Sequence, residues 1–155
     1  MFAVSNSSPL IALASIDRLN LLQTLFQSVV IPPAVDREIT RSIPVAPPWL
    51  RVQSLASTLP TIVLRRSLGD GEREAIALAV ELHADWIILD DRPARGAAAA
   101  AGLNVVGTVG VLLGAKNVGL IGRIRPELDR LLRNSFFLSP ELYGELVHAA
   151  GEADS

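Results

Sequence analysis

The sequence predicts an α/β fold in which helices cover a central parallel sheet. Three observations carry this reading. Short apolar, largely β-branched runs (SVVI at 28–31, WIIL at 86–89, NVV at 104–106) alternate with segments of helical periodicity, the order that gives parallel strands joined by crossover helices. Trp86 to Leu89 is an unbroken apolar run, as expected of a strand buried on both faces. Half of the residues are hydrophobic, 19% are charged, and aromatics are sparse; such a chain is not disordered and suits helices packed closely on a sheet. At 155 residues, with no internal repeat and no low-complexity linker, residues 1–155 read as one domain.

Taken in order, Phe2 to Ser5 reads as a first strand, and Ser5-Asn6-Ser7-Ser8 as turn and cap chemistry with Pro9 in the first turn of a short apolar helix. Asp17 is placed to cap the next helix, where Leu19, Leu22, Leu25 and Phe26 recur at helical spacing. Ser28 to Ile31 is a second strand; Pro32–Pro33 ends it and opens the helix AVDREI. The proline-rich stretch Ile43 to Pro60 reads as an ordered connection holding one short strand or helical turn, and TIVL at 61–64 as another short strand. Gly69-Asp70-Gly71 is turn chemistry. A helix follows from Glu72 to Leu82, with Ile76, Ala79, Val80 and His83 on or near one face. After the strand at Trp86 come an Ala-rich helix from Pro93 to Ala101, the NVV strand, and a helix capped by Thr108 and running to Lys116. Helices at Pro126 to Arg133 and Pro140 to Ala150 complete the chain.

Composition excludes several classes. Without cysteine there is no disulfide, thiolate metal site or cysteine nucleophile, which fits a cytoplasmic location. The first residues lack the basic leader of a signal peptide. Gly96 to Ala115 is uncharged and long enough for a membrane span, but Gly102, Asn104 and Gly107–Thr108 divide it into helix, turn, strand and helix. GVLLGAK at 110–116 has the wrong spacing for a phosphate loop, with Asn117 where a hydroxyl should follow the lysine. His83 and His148 share no metal-ligand spacing. The net charge of −2 shows no overall basic face.

What remains is acidic. In a parallel α/β sheet, ligands bind beyond the carboxyl ends of the strands. Asn6 follows the first strand, Asp36 and Glu38 lie just after the second, Glu72 opens the helix before the WIIL strand, and Asp90–Asp91 end that strand. Carboxylates brought together repel unless protons or a cation neutralise them. Oxygen donors without His or Cys select Mg²⁺ or Mn²⁺, and such an ion serves phosphodiester hydrolysis. Each position also has a structural reading: Asp91 and Asn6 as helix caps, Glu72 as a partner of the helix dipole, and Asp36 and Glu38 on a solvated face with one of them aimed at the site. Asp90, directly ending an apolar strand, is the hardest to explain structurally. Arg92 and Arg95 suit substrate phosphate or an ion pair with the acids.

The segments VSNSSPLIALASIDRLNLL, VVIPPAVDREI, GEREAIALAVELHADWIILDD followed by Arg95, GLNVVGTVGVLLGAKNVGLI and SPELYGELVHAAGE span nearly the whole chain. As an ordered set they resemble a PIN-like branch of the VapC-type toxin nucleases. The resemblance implies a three-layer α/β/α sandwich with a central parallel sheet. It also implies an acidic pocket that binds Mg²⁺ or Mn²⁺ and cleaves RNA, a small cognate antitoxin that covers the pocket, and a homodimer. Carried over by position, it puts the metal ligands at Asn6, Glu38, Glu72 and Asp90, with Asp91 beside them. Of these, Glu38, Glu72 and Asp90 are the catalytic carboxylates, and Ser8 matches a hydroxyl position near the first acid. The departure is Asn6, where PIN nucleases usually have Asp. An amide oxygen ligates a metal without adding charge, which opens an alternative: a catalytically weak or silent PIN-like module that binds nucleic acid or a partner.

Overall fold

The computed structural model describes residues 1–56 and 68–152. Strand β1 (Phe2–Ser5) leads to helices α1 (Ser7–Ser15) and α2 (Leu21–Phe26), then β2 (Ser28–Ile31), α3 (Pro33–Ile39) and β3 (Leu50–Val52). The second half runs α4 (Asp70–Leu82), β4 (Trp86–Ile88), α5 (Arg92–Ala100), β5 (Val105–Val106), α6 (Thr108–Asn117), α7 (Arg125–Arg133) and α8 (Pro140–Ala149). The strands form one sheet in the order β3-β2-β1-β4-β5, with every pairing parallel. The chain builds outward from β1 in one direction through β2 and β3, then returns to the other side of β1 for β4 and β5. Strand order therefore reverses at the β1–β4 seam, where doubly wound sheets open a crevice at their carboxyl ends.

Strand alternation sorts the apolar residues into two cores. Ala3, Val29, Ile31 and Ile88 face one side, packed with Leu10, Leu13, Leu22, Leu112 and Leu128 from the helices there. Val4, Val30, Ile87 and Leu89 face the other, packed with Ile76, Leu78, Ala94 and Ala98 of α4 and α5. The period of two in the strands thus fills both faces at once, as the WIIL run predicts: Ile87, Ile88 and Leu89 are fully buried.

Four local expectations are corrected. Asp17 caps nothing. It takes a left-handed φ of 60° just past α1, a conformation Asp tolerates, and its N–H donates to the carbonyl of Ala14 (3.1 Å), while α2 starts later, after Asn20. Gly69-Asp70-Gly71 is not a free turn; Gly69 is the N-cap of α4, and Asp70 and Gly71 are its first turn. His83 is not on a helix face but is the exposed left-handed C-cap of α4, at φ 54°. Thr108 is no cap either; Gly107 holds that position, and the threonine side chain is engaged elsewhere. Pro60 and the TIVL segment lie outside the described residues. GVLLGAK lies inside α6, and among the described residues no helix is long and apolar enough to cross a membrane.

Two clamps fix the last helices against the sheet. Arg18, between α1 and α2, grips the buried Glu127 of α7 through Nε (3.0 Å) and Nη2 (2.8 Å), a fork-on-carboxylate pairing that fixes direction as well as distance. After α8, the buried carboxylate of Glu152 accepts from Lys116 Nζ (2.7 Å) on α6 and from the backbone N–H groups of Ile124 (2.8 Å) and Arg125 (3.3 Å) at the start of α7. The segment between α7 and α8 is thereby held beside the carboxyl end of β4, where it forms one wall of the groove described next.

Candidate active site

At the β1–β4 seam the backbone N–H of Asn6 donates to the carbonyl of Ile88 (3.1 Å), so the residues leaving the two central strands are held side by side. Asn6 occupies the N-cap position of α1 with extended backbone (φ −83°, ψ 171°), yet its side chain makes no cap hydrogen bond and is only 2% exposed. Its amide oxygen lies 3.3 Å, and Glu38 Oε1 2.1 Å, from the point a Cβ on Gly71 would occupy. Any side chain at 71 would displace the Glu38 carboxylate from this position. Partial desolvation pushes the pKa of Glu38 up although the residue as a whole is exposed, the Ser7 hydroxyl opposes this, and the charges of Glu72 and Asp70 add to the rise. A carboxyl raised by neighbouring carboxylates is a group that a cation would relieve. Asp36, the other acid of α3, has no place in this geometry.

Across the seam, Asp90 is held by one residue. Its Oδ1 accepts from the backbone N–H of Thr108 (2.7 Å) and its Oδ2 from the Thr108 hydroxyl (2.6 Å). Thr108 is fully buried. It follows β5, so the register of β4 with β5 sets the orientation of the acid that ends β4. Gly107 is again required, because a Cβ there would sit 2.6 Å from Arg95 Nη1 and 2.9 Å from Asp90 Oδ1. Arg95 also donates to the carbonyl of Leu89 (3.0 Å), which fixes its guanidinium beside Asp90. Thr108→Val keeps the side-chain shape and the backbone donor but deletes the hydroxyl. Loss of a hydrogen bond to a charged acceptor should destabilise the fold by roughly 1.5–3 kcal/mol in urea unfolding, with Thr108→Ser recovering most of it. A Val variant as stable as the parent would show that the hydroxyl does not bond Asp90 in solution.

The remaining acids divide their duties. Glu72 Oε2 accepts from the Gly69 N–H (2.7 Å). This is the reciprocal half of a capping box, whose other half a glycine cannot supply. Asp91 is the N-cap of α5 and accepts from the Ala94 N–H (3.1 Å), so the helix-cap reading describes its carboxylate. Both nonetheless line a groove of about 910 Å³ with Ser8, Asp90, Arg92 and Arg95. The structure therefore brings Asn6, Glu38 and Glu72 together on one side of the seam, and Glu72, Asp90 and Asp91 along the groove, with Glu72 common to both. Among the described residues, no three His, Cys, Asp or Glu side chains are grouped as a ready metal-ligand set. The donors present are all oxygens and fit a hard divalent cation in kind.

Three features escaped the sequence. Ser7 is the hydroxyl that offsets the rise in the Glu38 pKa, while Ser8 lines the groove. Thr108 looks like a cap because it opens a helix, and only its partner across the seam shows otherwise. Phe136 and Phe137 form the apolar wall of the groove and carry no motif.

A parallel five-stranded sheet between helices, with oxygen-bearing side chains gathered at its central seam, defines an α/β/α sandwich with its candidate site at the topological switch point. The chain belongs to the PIN-domain family: a family model, DUF3368, described as a PIN domain, matches residues 2–152. PIN domains are typically nucleases and generally use divalent metals. In fold the chain is similar to a PilT N-terminus domain protein, SSO1118, from the hyperthermophilic archaeon Sulfolobus solfataricus P2. The likeness covers 74% of this chain and 93% of that one, at 23% identity and a TM-score of 0.57. No curated protein matches.

Proposed function

We propose that the protein is a divalent-metal-dependent endoribonuclease, acting as the toxin of a toxin–antitoxin pair. The observation that carries the proposal is that Asn6 and Glu38 stand together beside Gly71 at the carboxyl end of the β1–β4 seam, with Glu72 adjoining them and also lining, with Asp90, a groove that presents Arg92 and Arg95. Glu38, Glu72 and Asp90, with Asn6 as a neutral donor and Asp91 at the edge, would hold Mg²⁺ or Mn²⁺. When bound, the ion supplies charge neutralisation at a phosphodiester and acidifies attacking water. The chain's own part is orientation. Thr108 holds the Asp90 carboxylate, and Arg92 and Arg95 receive phosphate oxygens as bidentate donors. Ser8, exposed at the groove, lies within reach of the same substrate. The expected partners are RNA, a small antitoxin covering the groove, and a second copy of the chain.

A second reading is favoured by one residue. With an amide at position 6 the site has one carboxylate fewer, and a PIN-like module that binds without cleaving would have the same fold. The test is cleavage of several single-stranded RNAs by purified protein with Mg²⁺ or Mn²⁺, with EDTA and Asp90→Asn as controls. The nuclease reading expects metal-dependent cleavage that Asp90→Asn lowers by on the order of 100-fold or more. Activity that persists in that variant belongs to a contaminant and removes Asp90 from the site. Silence on every RNA with both metals supports the binding module.

A further inference from the structure

Phe137 is 89% exposed, although the residues on either side of it turn inward: Leu138 is buried and Phe136 packs against the core. The local backbone forces this. Ser135 takes a left-handed φ of 67°, the Phe136 N–H bonds back to the carbonyl of Leu131 (3.0 Å), and the Ser139 side chain caps α8 by accepting from the Leu142 N–H (3.1 Å). Between those anchors the chain is short and its side chains alternate, so the Phe137 ring projects outward from a fixed base. It projects into the groove that contains Glu72, Asp90, Arg92 and Arg95.

We propose that Phe137 is a stacking platform for an unpaired nucleobase, and that the groove takes a single-stranded nucleic acid; this rests on the nuclease reading of the same site. An aromatic face in water, lining one groove with two arginines, matches a nucleotide in both halves: the ring takes the base and the arginines take the phosphate. Duplex substrates keep their base faces stacked inside the helix, so a platform of this kind selects unpaired strands. The apolar lining of the groove, Phe136, Phe137, Leu138 and Leu142, lies beside Arg92 and Arg95, whose charge suits the phosphates of a nucleic acid.

The test is fluorescence anisotropy of a labelled oligoadenylate with the full chain in EDTA, which prevents cleavage, for the parent and for Phe137→Ala, Phe137→Leu and Phe137→Trp. An abasic oligonucleotide of the same length serves as a second probe. Phe137→Ala is expected to weaken oligoadenylate binding roughly ten-fold or more. Phe137→Leu should lose as much, Phe137→Trp should bind at least as well as the parent, and the abasic probe should not distinguish the four proteins. Because the ring is exposed, thermal unfolding should be the same for all. Unchanged binding by Phe137→Ala, or rescue by Phe137→Leu, overturns the stacking role while leaving the nuclease reading intact, and the second result identifies a merely apolar surface suited to a protein. Failure of the parent to bind either probe overturns the stacking role, and the nuclease reading is decided separately by the cleavage assay, because EDTA leaves the acids of the site without a cation.

Discussion

Asn6→Asp is expected to raise divalent-metal affinity by at least about ten-fold and to increase metal-dependent RNA cleavage with it, since affinity in oxygen-ligand sites follows the number of ligand charges. The amide and the carboxylate have the same shape, and Asn6 is 2% exposed with no cap hydrogen bond from its side chain, so the substitution changes charge and little else. Without metal the new charge lies close to Glu38, whose pKa is already raised by burial and by Glu72. The metal-free variant should therefore be less stable than the parent by on the order of 1 kcal/mol, and Mn²⁺ should more than reverse the loss. Thermal unfolding with and without Mn²⁺ reads both effects, because a ligand that binds only the folded state raises stability with its concentration over Kd. An Asn6→Asp protein whose Mn²⁺-induced shift equals the parent's would mean that position 6 does not face the metal.

The second large effect is on stability. Glu152→Ala removes a carboxylate with 5% side-chain exposure that accepts from Lys116 and two backbone N–H groups. Breaking this ion pair from one side leaves the Ile124 and Arg125 N–H groups without their acceptor and Lys116 with only the Ala150 carbonyl, and should lower stability by roughly 3 kcal/mol and Tm by about 6–12 °C. The pH dependence has a definite sign. Burial alone would raise the Glu152 pKa, but the Lys116 ammonium and the N–H groups of Ile124 and Arg125 outweigh it and hold the carboxyl at about 2, against an ordinary 4.5. A depressed carboxyl stabilises the fold above its unfolded pKa, and the contribution is lost as pH falls from near 4.5 towards 2. Glu152→Gln should therefore flatten the stability profile in that window and match the parent at its acid end. A parallel profile for the two proteins would mean that the clamp is absent in solution. Because the clamp fixes the start of α7, Glu152→Ala should also loosen the groove wall at Phe136–Phe137.

Much of the framework was readable from periodicity. The β-branched run at Ser28–Ile31, the apolar run at Trp86–Leu89 and the proline signals at Pro9, Pro33, Pro93, Pro126 and Pro140 each mark an element that the structure contains. The errors share a cause. Asp17, Thr108 and Gly69-Asp70-Gly71 were assigned from local chemistry, because a small polar residue near a helix start reads as a cap or turn. In the fold, Asp17 terminates the preceding helix, Thr108 turns to an acid eighteen positions away, and the glycines open α4, Gly69 as its N-cap beside Glu72 and Gly71 beside Glu38.

By itself the sequence determined the element order, the parallel sheet, and which acids stand at strand ends, because these depend on side-chain period and on the short reach of turns and caps. The tertiary structure alone decided how those acids are used. Asp91 and Glu72 each give an oxygen to a helix terminus, Asn6 leaves its cap role and turns toward Glu38, and Thr108 holds Asp90. These are contacts between segments far apart in sequence, set by the crossing of the chain at the β1–β4 seam, and no local pattern of residues encodes them.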